Sequence, residues 1–193
     1  MPAPPKTSDA QIVEAARRLL ESRGREGFSL TEVAAAVGVR APSLYRRFAD
    51  RAAILEAVEL SLWCDLAEAL TDAIVPRRSL DTLRSQARAY RTFAKTHPNG
   101  YSLMFDVQSR HTEEGTRARS NALAPAMPAF TALVGKQNAL RAARVLTPFL
   151  HGFVSMEIGD AFRLGGGLDA AFDHGVATIL QGLARTRGRP RRR

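Results

Sequence analysis

The stretch from Ser29 to Phe48, SLTEVAAAVGVRAPSLYRRF, constrains this chain more than any other, because it reads as two short helices meeting at Gly38. Ser29 followed by Glu32 is a capping box, in which each side chain satisfies a backbone N–H that a helix start leaves without a partner. Phe28 and Val33 flank that start as a hydrophobic staple. A helix therefore opens near Leu30 and closes at Gly38, since glycine takes the left-handed conformation past a helix end without a Cβ penalty. Pro42 sits where a first helical turn accepts proline, which predicts a second helix from about Pro42 to Phe48.

Two helices joined by a short glycine turn make a helix-turn-helix, whose second helix enters the DNA major groove with its first residues at the base edges. Leu44 and Phe48 lie four apart and face inward, which leaves Arg40, Ser43, Tyr45, Arg46 and Arg47 outward. Cationic, hydroxyl and aromatic groups of this kind suit phosphate and base contacts. An ordinary αα corner on a basic surface uses the same turn chemistry and stands as the alternative.

The order Phe28, Leu30, Thr31, Val33, Ala34, Ala36, Gly38, Val39, Ser43-Leu44-Tyr45-Arg46-Arg47-Phe48 and Ile54-Leu55 resembles the N-terminal domain of the TetR family of transcriptional regulators, over roughly Ser8 to Val58. Arg40 stands where serine is frequent, Arg47 where histidine is frequent and Arg51 where lysine is usual. Each substitution keeps or adds positive charge. The resemblance implies that Thr31, Arg40, Ala41, Pro42, Ser43, Tyr45, Arg46, Arg47 and Arg51 meet a double-stranded DNA operator. It also implies a homodimeric, ligand-responsive repressor with a small-molecule effector.

A net charge of +9 agrees with a polyanionic partner, but six of those charges lie at Arg185, Arg187, Arg189, Arg191, Arg192 and Arg193. Within that tail, Arg187-Gly188-Arg189-Pro190 is the core of an AT-hook, a segment that reads A·T minor grooves. A second function follows from it, an architectural DNA-binding dimer using the basic tail. A third, a small-molecule enzyme with a vestigial head, finds little chemistry. Ser155 and His151 share a face without completing a triad. The four histidines lack metal-ligand spacing, and Gly165 to Gly167 follows a helix rather than a strand. No catalysis, metal or cofactor is expected. Cys64 is alone and reads as a small helix residue. The start MPAPPKTSDA lacks an apolar signal core and no apolar run is long enough for a bilayer, so a cytoplasmic chain without a membrane partner is expected.

Along the chain, residues 1–7 read as a disordered arm, 8–50 as the DNA-binding domain, 51–184 as a ligand-binding and dimerisation domain, and 185–193 as a basic disordered tail. The pattern is all-α throughout. Ser8 with Gln11 caps a helix that stops near Gly24. Asp50 caps a long helix to about Ile74, and another runs from Ser79 to about Thr96 before His97-Pro98-Asn99-Gly100 breaks the chain. Tyr101 to Val107 is a short helix or turn, and Ser109 to Ala118 a polar loop. A helix starts near Pro128. A long one follows from about Gln137 to Arg163, with a kink predicted by Pro148, and the last spans Leu168 to Leu183.

The second body concentrates aromatic and sulfur side chains. Trp63, Phe93, Tyr101, Met104, Phe105 and Met156, with His151 as an orienting polar group, are the candidate lining of a cavity between the fifth helix and the kinked one. Ordinary core packing is the alternative for each. Few carboxylates fall in these segments, which favours a neutral or weakly anionic apolar ligand. The segment from Phe149 to Glu157 resembles the C-terminal domain of a TetR subgroup with a tryptophan-histidine-glycine motif, Leu150 replacing the tryptophan. Phe149, Gly152, Phe153, Ile179 and Leu183 are the candidate dimer contacts, because their helices are apolar all round.

Overall fold

The computed structural model describes residues 7–106 and 112–186, and every regular element among them is helical. The ten α-helices are α1 (Asp9–Arg23), α2 (Leu30–Ala36), α3 (Ala41–Tyr45), α4 (Arg51–Asp72), α5 (Ser79–Thr96), α6 (Pro98–Met104), α7 (Glu113–Ala122), α8 (Met127–Val134), α9 (Lys136–Ile158) and α10 (Leu168–Arg185). They gather into two compact units that do not follow chain order. One takes Met1–Asp65 and His97–Arg119, the other Leu66–Thr96 and Ser120–Arg193. No described helix is long and apolar enough to cross a membrane.

In the first unit both capping boxes form as the spacing predicts, Ser8 with Gln11 and Ser29 with Glu32. Ile12, Ala16, Leu20, Val33, Leu44 and Val58 fill its core. The second helix of the turn motif is shorter than its expected run to Phe48. It spans Ala41–Tyr45, and Arg47 and Phe48 then turn back by donating their backbone N–H groups to Leu44 O. Arg47, Phe48 and the chain beyond thereby set up α4, whose start Asp50 caps by accepting from Ala53 N at 2.8 Å.

Two expectations are corrected in this unit. His97-Pro98 does not only break the chain. Pro98 opens α6, for which its missing N–H costs nothing, and the cap comes from α1: Glu21 accepts from Asn99 N (3.1 Å) and Gly100 N (2.8 Å). The expected polar loop from Ser109 to Ala118 is instead largely helix. Gly115 N donates to Thr112 Oγ1 at 3.1 Å, and Glu113 and Glu114 place negative charge at the first turn, where the helix dipole favours it. Residues 109–111 of that expected loop lie outside the described residues.

The second unit packs α5 against α8, α9 and α10. Its α5 buries Leu83, Ala87, Tyr90, Phe93 and Ala94 on one face. Two buried polar side chains one turn apart on α5 hold the chain leaving α4. Thr82 Oγ1 accepts from Val75 N (3.0 Å) and donates to Val75 O (2.8 Å), while Gln86 Nε2 donates to Leu70 O at 2.9 Å and to Pro125 O at 3.2 Å. Carbonyls that a helix end leaves unbonded are satisfied in this way. Helix α9 runs as one element through Pro148 and stops at Ile158, short of the expected Arg163.

Between α9 and α10, Phe149, Phe153, Phe162 and Phe172 form an aromatic cluster, with Phe153 in edge contact with Phe172 at 5.2 Å. Gly175 lets the helices approach, because a Cβ there would lie 2.3 Å from Phe149 Cζ. Arg91 lies over this cluster, 4.9 Å from the Phe172 ring. Its guanidinium grips Glu157 with two parallel bonds of 2.7 Å and reaches Asp169 at 2.8 Å, and Lys95 adds a third bond to Glu157 at 2.8 Å. Donation from Arg91 is the main reason the Glu157 carboxyl falls to about 2.

Candidate nucleic-acid interface

The turn between α2 and α3 places Gly38 at φ +70°, where an added Cβ would meet open space but strained backbone. Gly38→Ala is therefore expected to cost about 1 to 2 kcal/mol by thermal denaturation, with Gly38→Asn milder, since asparagine tolerates the left-handed region better than alanine. Equal stability of the alanine variant and the parent would refute this account of the turn.

From this turn, Thr31 on α2 and Arg40, Pro42, Tyr45 and Arg46 on or beside α3 project outward; Tyr45 is 51% exposed. Ala41 and Ser43 are half-buried beside them, and Leu44 is fully enclosed beneath. An apolar anchor under a row of cationic, hydroxyl and aromatic groups suits a surface laid against a polyanion.

Two of the nine expected contact residues are held by the protein itself. Arg47 forms an ion pair with Asp9 and donates to the Thr7 carbonyl, which ties the end of the α3 segment to the start of α1. Arg51 lies over the Phe28 ring at 5.1 Å and pairs with Glu26 at 3.3 Å. The arginines of α1 behave similarly. Arg17 pairs with Asp65, Arg23 with Glu32, and the following Arg25 with Asp106. Carboxylates thus take up much of the positive charge that reads as a basic surface in the sequence. The AT-hook segment, Arg187 to Pro190, lies outside the described residues.

The seven candidate effector residues fall into two groups. Trp63, Tyr101, Met104 and Phe105 belong to the first unit, and Phe93, His151 and Met156 to the second. Phe105 meets Trp63 edge-on at 5.5 Å and Tyr101 at 4.9 Å, while Met104 is fully enclosed. Sequence reading missed the two charged residues that join this cluster. Glu59, only 5% exposed, accepts from Trp63 Nε1 at 3.1 Å and from Arg119 Nη2 at 3.0 Å, and Arg119 lies over the Trp63 ring at 5.6 Å. The i, i+4 spacing of Glu59 and Trp63 on α4 was a usable signal; Arg119 gave none.

In the second unit Phe93 is buried, and half-buried His151 has its imidazole pKa pushed down by burial. Met156 is 46% exposed and borders a hollow of about 420 Å³ with Phe153, Phe162 and the glycine-rich turn before α10. Neither unit by itself brings all seven together. Of the candidate dimer residues, Phe149 and Phe153 pack inward on Phe172, and Ile179 and Leu183 are half-buried. Gly152 alone stands open, on a solvent-facing stripe of α9 with Val145, Pro148 and Met156.

Comparison with known proteins gives two family matches in succession along the chain. Residues 12–58 match the family described as "Bacterial regulatory proteins, tetR family", and residues 83–179 match "Tetracyclin repressor-like, C-terminal domain". The helix-turn-helix transcriptional regulator Rv0681 of Mycobacterium tuberculosis is 30% identical over 158 residues, 80% of this chain and 72% of the relative. The helix-turn-helix regulator YobS of Bacillus subtilis is 26% identical over 173 residues, 89% of this chain and 90% of the relative. Among solved structures, a protein of unknown function from Rhodococcus sp. RHA1 shares the fold with a TM-score of 0.80 at 24% identity, over 93% of this chain and 97% of its own. A TetR variant from Acinetobacter baumannii AYE, in complex with minocycline, shares it with a TM-score of 0.71 at 24% identity, over 95% of this chain and all of its own.

Proposed function

The chain belongs to the TetR family of helix-turn-helix transcriptional regulators, and on that premise we propose that it is a homodimeric repressor released from a palindromic operator by a small apolar molecule. The observation that carries the reading is the composition of the first unit, which groups α6 and residues 113–119 of α7 with the turn motif. Glu21 of α1 caps α6, and Arg17 reaches both Asp65 of α4 and His97 Nε2 (3.1 Å) at the start of α6. An arginine only donates, so His97 accepts through Nε2 and is neutral there, in keeping with burial and Arg17 both lowering its pKa. A movement of α6 is therefore passed to α1 through hydrogen bonds rather than through solvent.

The effector end of this route is the cluster of Trp63, Tyr101 and Phe105. Glu59 is already neutralised by Arg119, so the cluster favours an uncharged or weakly anionic apolar molecule. A hundredfold loss of operator affinity needs about 2.7 kcal/mol of differential binding between the two states. Trp63 is the chain's one tryptophan, so its fluorescence reads this site directly. A molecule that releases DNA is expected to change that emission with the same concentration dependence as release, and release without any change would place the effector elsewhere.

Of the candidate dimer residues, Gly152 on the open stripe of α9 offers the most direct test. A Cβ added at Gly152 would meet nothing within 4 Å, so Gly152→Arg is expected to give folded monomer by light scattering, with operator binding much weakened. An unchanged dimer counts against this face. The repressor reading as a whole is tested by a mobility-shift assay on the DNA flanking the protein's own gene, against random-sequence competitor. Two recognition helices in successive major grooves, about 34 Å apart, require a two-fold symmetric footprint, and an asymmetric or sequence-indifferent one refutes it.

A further inference from the structure

The contact between Asp9 and Arg47 has no part in the role just described. Arg47 lies just past α3, on the exposed segment that carries Tyr45 and Arg46, yet its guanidinium is turned onto the Asp9 carboxylate and the Thr7 carbonyl. Asp9 is itself largely exposed, with 69% of its side chain accessible. Thr7 in turn donates its hydroxyl to the Val37 carbonyl at 3.4 Å, so the carboxylate is held beside the turn between α2 and α3.

We infer that Asp9 is a specificity-determining residue, whose carboxylate withholds the Arg47 guanidinium from phosphate and so keeps affinity for non-operator DNA low. This rests on the DNA-binding reading above. Binding to random sequence is almost wholly electrostatic, each neutralised phosphate steepening the dependence of log affinity on log salt by about 0.9. Specificity is a difference of two affinities, and removing attraction to the wrong partner serves it as well as adding attraction to the right one. An arginine already paired with a carboxylate offers phosphate little net charge. The carboxylate also repels the backbone of any duplex laid on this face, whereas outward Arg40, Tyr45 and Arg46 are left to meet the operator. Exposed pairs of this kind contribute little to folding, so variants at Asp9 remain folded.

The test measures binding of the full-length protein to an operator duplex and to a random-sequence duplex from about 50 to about 200 mM salt. Asp9→Asn is expected to tighten non-operator binding about threefold or more at the low-salt end and to steepen the salt slope by about 0.9. The ratio of operator to non-operator affinity should fall. Adding Arg47→Ala to Asp9→Asn should abolish the gain, because the released cation is what makes it. The inference is overturned if Asp9→Asn leaves non-operator binding unchanged, or if the gain survives without Arg47. Weaker operator binding at constant non-operator binding would also overturn it, by showing that the pair only clamps α3 in position. Parent protein that binds neither duplex at low salt would remove the DNA-binding reading itself, an outcome distinct from the others.

Discussion

Replacing Arg91 by alanine is expected to destabilise the protein by about 3 to 5 kcal/mol, the range found when one partner of a buried ion pair is removed and the other charge is left behind. The side chains of Arg91 and Glu157 are only 12% and 9% exposed, so neither is rescued by water. The guanidinium also covers the rings of Phe153 and Phe172, contacts that a lysine would not reproduce with the same planar fork. Chemical denaturation at neutral pH reads the loss directly, and a change under about 1 kcal/mol would mean that Lys95 suffices for Glu157.

The same network sets an acid limit. Glu157 titrates near 2 in the folded chain against an ordinary 4.5, so its contribution is fully present above pH 4.5 and disappears as the pH falls toward 2. The shift corresponds to about 3 kcal/mol. Glu32 and Asp173 are also lowered, by hydrogen bonds from Ser29 and Arg88 respectively, so acid weakens the fold at several places. Glu157→Gln isolates one of them: its stability should fall less steeply than the parent's between pH 4.5 and 2. Parallel profiles would refute the assignment.

The second large effect is expected at the DNA face. Among the described residues, Arg40 and Arg46 have no carboxylate partner, unlike Arg47 and Arg51. Changing both to alanine should therefore remove DNA binding more completely than changing Arg47 and Arg51. A base-edge contact costs about 1 to 3 kcal/mol and relaxes one operator position, whereas a phosphate contact lowers the salt slope by about one unit without relaxing any. Mobility shifts over a salt series with single-base operator variants separate the two roles. The assignment is wrong if the double variant keeps parental affinity and slope.

What could be read from sequence was what is decided locally. The capping boxes at Ser8 and Ser29, the turn at Gly38 and the apolar spacing of α1 and α4 each depend on residues a few positions apart, and all were legible. The cap on α6 was not, because Glu21 supplies it from 78 positions away along the chain. Helix α7 was misread as loop for a different reason: its composition is polar, although Thr112 and the two glutamates after it carried a capping signal. At the DNA face, the outward set could be inferred from helical spacing. Which arginines are already occupied could not, since Asp9 and Glu26 become neighbours of Arg47 and Arg51 only in the fold. Phe153 shows the same limit: spacing marks it as apolar, but its ring contacts with Phe149, Phe162 and Phe172 arise only in the fold.

The cap that Glu21 places on α6 also bears on protein engineering. Grafting the first fifty residues of one protein onto the body of another supposes that the DNA-reading module ends where α4 begins. Here such a graft would leave the Asn99 and Gly100 amides facing a foreign α1 and would strip Arg17 from Asp65 and His97. Such a hybrid would keep the turn motif and lose the hydrogen bonds that join α6 to α1. A transplant that keeps this join must carry α6 together with the head.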